Sequence, residues 1–262
     1  MSIRTPALRS ARARAVSSRL SPASTLAFAV ALGLPVVSVG RAAAPPDEEA
    51  LRQQIAAAFE ARTRVPDEVK SRYRDFAMSP TSGIIRLIPA VDVYEGLVRG
   101  GGAYYSFRRH THQYGQGSDI QLQGGSFHTG LAGADYGYLL RLPDVPIEDL
   151  AVAKDTPPNW LPTGHHAAWA HLWTYAPPRG MKTIREHQRA ARGLAIGEIT
   201  LTQTVPVVAG SGYLLRSIEI DRGDALIGFQ VVETSSDGSV TIVWKILKVF
   251  DVPTSKGPDN AA

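Results

Sequence analysis

The chain has 262 residues, with 28 Lys and Arg against 24 Asp and Glu, seven His and no Cys. The missing cysteine excludes disulfides, thiolate metal ligands, a cysteine nucleophile and a lipid-modified N-terminal cysteine. The basic excess sits in residues 1–44, which hold six arginines and no acid; taking six from 28 leaves 22 bases against 24 acids, so the remainder has no general electrostatic attraction for nucleic acid.

The start of the chain reads as an export signal. Arg4, Arg9, Arg12, Arg14 and Arg19 form a charged segment, and an apolar run follows from Leu26 to Val39. Then come Gly40, Arg41, Ala42, Ala43 and Ala44, small residues of the kind a signal peptidase accepts. The run is about fourteen residues long and contains Gly33 and Pro35, short of the roughly 20 needed to cross a bilayer. The expectation is a signal peptide over 1–44, cut after Ala42 or Ala43, with no membrane span after cleavage and a periplasmic or secreted product. An exported chain without disulfides points to a bacterial envelope.

The rest reads as one α+β domain over 45–253, with a possible subdivision near 143–162 and a disordered polar tail over 254–262. Asp47 suits a helix cap, and Leu51, Ile55, Ala58 and Phe59 give the following helix one apolar face. A second helix starts at Pro66, with Asp67 and Glu68 in its first turn and Val69, Tyr73 and Phe76 along one side.

From 84 to 142 the chain is strand-like and rich in glycine. Gly96, Gly100, Gly101, Gly102, Gly115, Gly117, Gly124, Gly125, Gly130, Gly133 and Gly137 punctuate short segments at 103–109, 119–123 and 136–142. That spacing predicts antiparallel strands with tight or bulged turns. No phosphate-cradling glycine pattern is present.

A proline-rich connection leads to helices over His165–Tyr175 and Met181–Arg192, then to strands at 197–204, 213–220, 225–233 and 240–250. The last three are joined by Asp221-Arg222-Gly223-Asp224 and Ser235-Ser236-Asp237-Gly238, and Asp-Gly favours hairpin turns. The result is a C-terminal β-meander in which Val240, Ile242, Trp244 and Ile246 face one way and Thr241, Val243, Lys245 and Leu247 the other. Apolar residues on both faces predict antiparallel sheet packed by the N-terminal and central helices on one side and partly covered on the other.

Candidate chemistry centres on Arg108-Arg109-His110-Thr111-His112. In an extended strand His110 and His112 point the same way and share a metal if His128 or Asp119 joins them. Arg108 opposes a cation on that face, so histidines on the polar face of a half-buried strand are the simpler reading and no cofactor or metal is expected. The stripe of His166, Trp169 and Trp173 reads as the buried face of a helix. Arg185, Arg189 and Arg192 make a basic edge, a solvated face unless it receives an anionic ligand or phospholipid headgroups. Asp119, Asp135, Asp144, Glu148 and Asp149 are candidate carboxylates for acid–base work. Gly210-Ser211-Gly212 lacks a nucleophile elbow and reads as a turn.

The sequence leans away from an enzyme. It favours an exported domain that binds a ligand or protein partner in the cell envelope through Tyr104, Arg108, His110, His112 and Tyr114, with no nucleic acid. One alternative is a metal-assisted or carboxylate-dependent hydrolase built on the Gly-rich region 96–137. Another is a structural or oligomerising envelope protein that uses an exposed edge of the meander.

Overall fold

The turns of the C-terminal meander set its geometry. A computed structural model describes residues 48–90, 102–112 and 114–257; the expected signal peptide, Gly96, Gly100, Gly101 and residues 258–262 of the tail lie outside the described residues. Strands β9 (Gly212–Glu219), β10 (Gly223–Thr234) and β11 (Val240–Phe250) pair antiparallel in sequence. Between β10 and β11, Gly238 takes φ +79 and Asp237 Oδ1 accepts the Ser239 N–H at 2.9 Å. In the turn before β10 the left-handed residue is Asp221, at φ 61, a conformation its short polar side chain tolerates. Gly223 is needed for another reason: a Cβ there would fall on the guanidinium of Arg108.

Strand β1 (Ser82–Leu87) joins β11 and β5 (Tyr136–Leu142) joins β9, giving a five-stranded sheet in the order β1-β11-β10-β9-β5. The meander edge considered for self-assembly is therefore paired with β1 from Val240 to Lys245. A smaller sheet consists of β2 (Tyr104–Tyr105), β3 (Ile120–Gln123), β4 (Ser126–His128) and β8 (Thr204–Pro206), in the order β2-β3-β4-β8. The two sheets enclose one core, in which Val240, Ile242 and Trp244 meet Tyr105, Phe107, Ile120, Phe127, Tyr213 and Phe229. Full burial of each such side chain contributes about 1.5–3 kcal/mol.

Helices cover the other face of the large sheet. Val243 lies in that second core and Leu247 packs against it, so the alternation expected along β11 holds. Helix α1 spans Glu48–Thr63, α2 Asp67–Arg72 with Pro66 as its N-cap, and α3 Arg74–Ala77. Tyr73 carries the second segment into the core, with Val69 and Phe76 packed beside it. The proline-rich connection holds a further short helix, α4 (Ile147–Ala151), whose Ile147 N–H donates to Gln230 Oε1 at 3.0 Å. A 3-10 turn over Thr163–His165 runs into α5 (His166–Thr174), and α6 spans Met181–Ala190. Trp169 and Trp173 are buried as the stripe implied, and His166 Nε2 sits 3.0 Å from the Leu161 carbonyl.

At the centre of this core lies a fully buried charge. Arg216 of β9 donates to Asp224 through Nε at 2.5 Å and Nη2 at 2.7 Å, and both side chains are completely enclosed. Its Nη1 and Nη2 also reach the carbonyls of Leu172 (2.7 Å) and Tyr175 (3.2 Å). Those carbonyls end α5, where no intrahelical donor is left and the helix dipole favours a cation. One guanidinium therefore ties helix to sheet.

Two expectations are corrected. The strand expected over 103–109 stops at Tyr105 and the chain turns. The strand expected over 197–204 is a hairpin, β6 (Leu194–Ile196) and β7 (Ile199–Leu201), bent at Gly197 (φ 60) before β8 begins. At the start of the tail, Asp221 Oδ1 accepts the Ser255 N–H at 2.8 Å and the Pro253 carbonyl accepts the Asp221 N–H at 2.7 Å. The described residues belong to a compact unit, Pro46–Ala262, and none of their helices is long and apolar enough to cross a membrane.

Candidate functional site

Residues 106–112 and 114–119 leave β2 as a loop with a closed neck. Phe107 is anchored in the inter-sheet core, and its N–H donates to Asp119 Oδ2 at 2.7 Å. The Asp119 N–H donates to the Tyr105 carbonyl at 2.9 Å, while Ser106 and Thr111 exchange N–H donors at 2.9 and 3.3 Å. These bonds force a turn between Phe107 and His110, and His110 takes φ 52. His110 and His112 therefore do not stand on one face of a strand.

Beneath the neck lies a buried charged base. Arg108 Nη2 is 2.6 Å from Glu219 Oε2, and Arg108 Nη1 donates to the Arg222 carbonyl at 3.2 Å. Arg222 in turn pairs with Asp135, and its Nε lies 3.5 Å from Glu219 Oε2. Asp135 Oδ1 accepts the Ile220 N–H at 3.0 Å. Asp119 just before β3, Asp135 just before β5 and Glu219 at the end of β9 thus surround two arginines, and the loop is clamped to the end of β9 and to the turn before β10.

Burial decides the protonation of this base. Asp119 is fully enclosed, its Oδ1 has no hydrogen-bond partner and the Glu219 carboxylate faces it. Desolvation pushes its carboxyl up to about 6, against the lowering effect of Ser217, Arg108 and the Phe107 N–H. Asp135 is also pushed up to about 6, burial outweighing the Arg222 charge and the Ile220 N–H. Both carboxyls sit in a range suited to proton transfer, but they are buried under the loop rather than set on opposite walls of a cleft.

Of the residues expected to bind, Tyr104 and Tyr114 meet edge to face with ring centroids 4.9 Å apart, and the Tyr104 hydroxyl accepts from Gln121 Nε2 at 2.8 Å. His112 lies beside them: Nδ1 is 2.9 Å from the Tyr104 carbonyl, and its ring packs against Phe59 and Tyr105. His110 points elsewhere, onto the edge of Trp244 at 5.0 Å. Arg108 belongs to the charged base. His128 sits between the Gln123 carbonyl (3.3 Å) and Thr204 Oγ1 (3.0 Å). The set His110, His112, His128 and Asp119 is thus not brought together, and among the described residues no three His, Asp or Glu side chains are placed to hold a metal ion.

The fixed neck presents Arg109, His110, Thr111, Tyr114 and Gln116 to solvent, with Tyr114 60% exposed. The guanidinium of Arg109 lies over Gly117, where a Cβ would strike it. A guanidinium, an imidazole, a phenol, a hydroxyl and an amide on a loop held at its neck suit a polar, acceptor-rich ligand.

Sequence reasoning missed Glu219 and Arg222 in the base, and Arg216 and Asp224 in the helix-side core. The signal for Arg216 and Glu219 was available: a charge inside the apolar run Tyr213-Leu214-Leu215-Arg216-Ser217-Ile218-Glu219 needs a partner if the strand is buried on both faces. Sequence reasoning also missed a polar cluster next to Arg216. The Tyr175 hydroxyl lies 2.8 Å from the Tyr136 hydroxyl and 2.6 Å from His187 Nδ1, and burial pushes both tyrosines up. His171 meets Tyr138 edge to face, lies tilted against Tyr175, and is pushed down by burial and by Arg216. No protein-family model, curated protein or solved structure matches the chain.

Proposed function

We propose that this protein is an exported domain that binds a ligand or protein partner in the cell envelope through its loop over 108–116. The arginine-rich, acid-free start followed by an apolar run supports export. The loop supports binding. Arg109, His110, Thr111, Tyr114 and Gln116 are exposed while the loop is held by Asp119, Ser106 and the Arg108–Glu219 ion pair. Little order then has to be created on association, which lowers the cost of binding. That combination of fixed backbone and exposed polar groups is the observation that carries the reading. The three acids lie in the base and the exposed rim is basic and hydroxylated, so the ligand is expected to present carboxylate, phosphate or hydroxyl oxygens.

The test is retention from a solubilised envelope fraction on immobilised protein, with Arg109→Ala/His110→Ala/Tyr114→Ala as the comparison. A component held by the wild-type protein and lost by an equally stable triple variant supports the reading. Identical retained sets contradict it.

A further inference from the structure

We infer that helix α6 is a peripheral docking face for an anionic phospholipid surface. The helix is fixed to the body along one side: Ile184 is buried, His187 Nδ1 meets the Tyr175 hydroxyl at 2.6 Å, and Gln188 Nε2 donates to the carbonyls of Gly133 and Asp135 at 3.0 Å each. The opposite side carries Lys182, Arg185 and Arg189, and Arg192 continues it in the following turn; all four are exposed. Spacings of three, four and three residues place them on one face. At 1.5 Å per residue the stripe is about 15 Å long.

These cations differ from five other arginines of the chain. Arg64, Arg86, Arg108, Arg216 and Arg222 each have a carboxylate within ion-pair distance. Among the described residues Lys182, Arg185, Arg189 and Arg192 form no such pair, although Glu186 lies on the same helix. Lys182, Arg185 and Arg189 line a shallow open groove with Met181 and Glu186. None of the large exposed apolar side chains lies on α6. A protein partner needs a desolvated apolar centre flanked by polar groups. A headgroup layer needs only charge, arrayed in a plane that a straight stripe can meet along its whole length. The near-neutral charge of the chain beyond residue 44 argues against nucleic acid.

The experiment uses residues 46–262, which hold both cores and lack the basic, apolar start that would bind vesicles by itself. The protein is sedimented with vesicles of phosphatidylcholine, either alone or containing phosphatidylglycerol. Binding is expected only with phosphatidylglycerol and is expected to vanish in 1 M salt, where the screening length is about 3 Å. Each cation at an anionic surface multiplies affinity about fivefold, so Arg185→Glu/Arg189→Glu should weaken binding at least about 25-fold with an unchanged melting temperature. Should the double variant misfold, Arg185→Gln/Arg189→Gln gives the same comparison. Absent or charge-independent vesicle binding overturns the inference, as does retention of soluble polyglutamate without vesicle binding, which would indicate an acidic protein instead.

Discussion

Replacing Arg216 by Met tests the organisation of the helix-side core. The substitution keeps much of the volume but leaves the fully enclosed carboxylate of Asp224 without its bidentate partner. Breaking a buried pair from one side costs about 3–5 kcal/mol. The carbonyls of Leu172 and Tyr175 also lose their donor, at about 1 kcal/mol each. The sum, about 5–7 kcal/mol, is comparable to the whole stability of an ordinary domain. Removing both charges, in Arg216→Met/Asp224→Leu, strands no ion and should cost at least about 3 kcal/mol less than Arg216→Met alone. Urea unfolding followed by tryptophan fluorescence reads both variants. The pH dependence has a definite sign. Burial already raises the carboxyl of Asp224, with Arg216 opposing; without Arg216 it rises further, the folded state takes up a proton that the unfolded state does not, and the deficit shrinks as pH falls below neutral. A double variant whose loss equals the sum of the two single losses, with no pH dependence in the Arg216→Met deficit, would refute the reasoning.

Three further outcomes follow from the loop and its base. Asp119 has a folded-state carboxyl near 6 against an ordinary value of 3.8, so its contribution to stability increases as pH is lowered through 6 towards 4. Asp119→Asn should therefore be most favourable relative to wild type at about pH 7.5 and lose that advantage progressively as pH falls from about 6 to about 4, as read by melting temperature across pH. His112→Ala removes the contact with the Tyr104 carbonyl and two aromatic edges, costing about 1–2 kcal/mol; hydrogen exchange should quicken at the Ser106 and Thr111 amides. Gly223→Ala places a methyl group on the Arg108 guanidinium and displaces it from Glu219, a loss of about 3 kcal/mol. In Arg108→Ala the same glycine substitution should cost less than about 1 kcal/mol, which thermal unfolding of the four-member cycle measures.

The meander was legible because its signals are local: alternation in Val240–Phe250 and the Asp237-Gly238 turn need no knowledge of the rest of the chain. The buried stripe of α5 was legible for the same reason. The loop was not, since the turn at Phe107 depends on a carboxylate twelve residues on, and periodicity alone cannot distinguish Tyr105-Ser106-Phe107 as a strand from the same residues as a strand end and a turn. The charged base joins residues 87 positions apart, Asp135 and Arg222, a pairing that becomes visible only once β5 and β9 are neighbours. The role of Gly223 is likewise tertiary, because its sequence context suggests a turn glycine while its space is taken by Arg108.

Binding at the 108–116 loop is most directly tested by photo-crosslinking in living cells of the source organism, with the photoreactive residue at Tyr114 and, as control, at Met78. Met78 is 78% exposed and follows Phe76, which packs against the helix-side core. A discrete adduct is expected from position 114, formed in the exported protein and absent from position 78. No adduct at 114, or the same adducts at both positions, would contradict it.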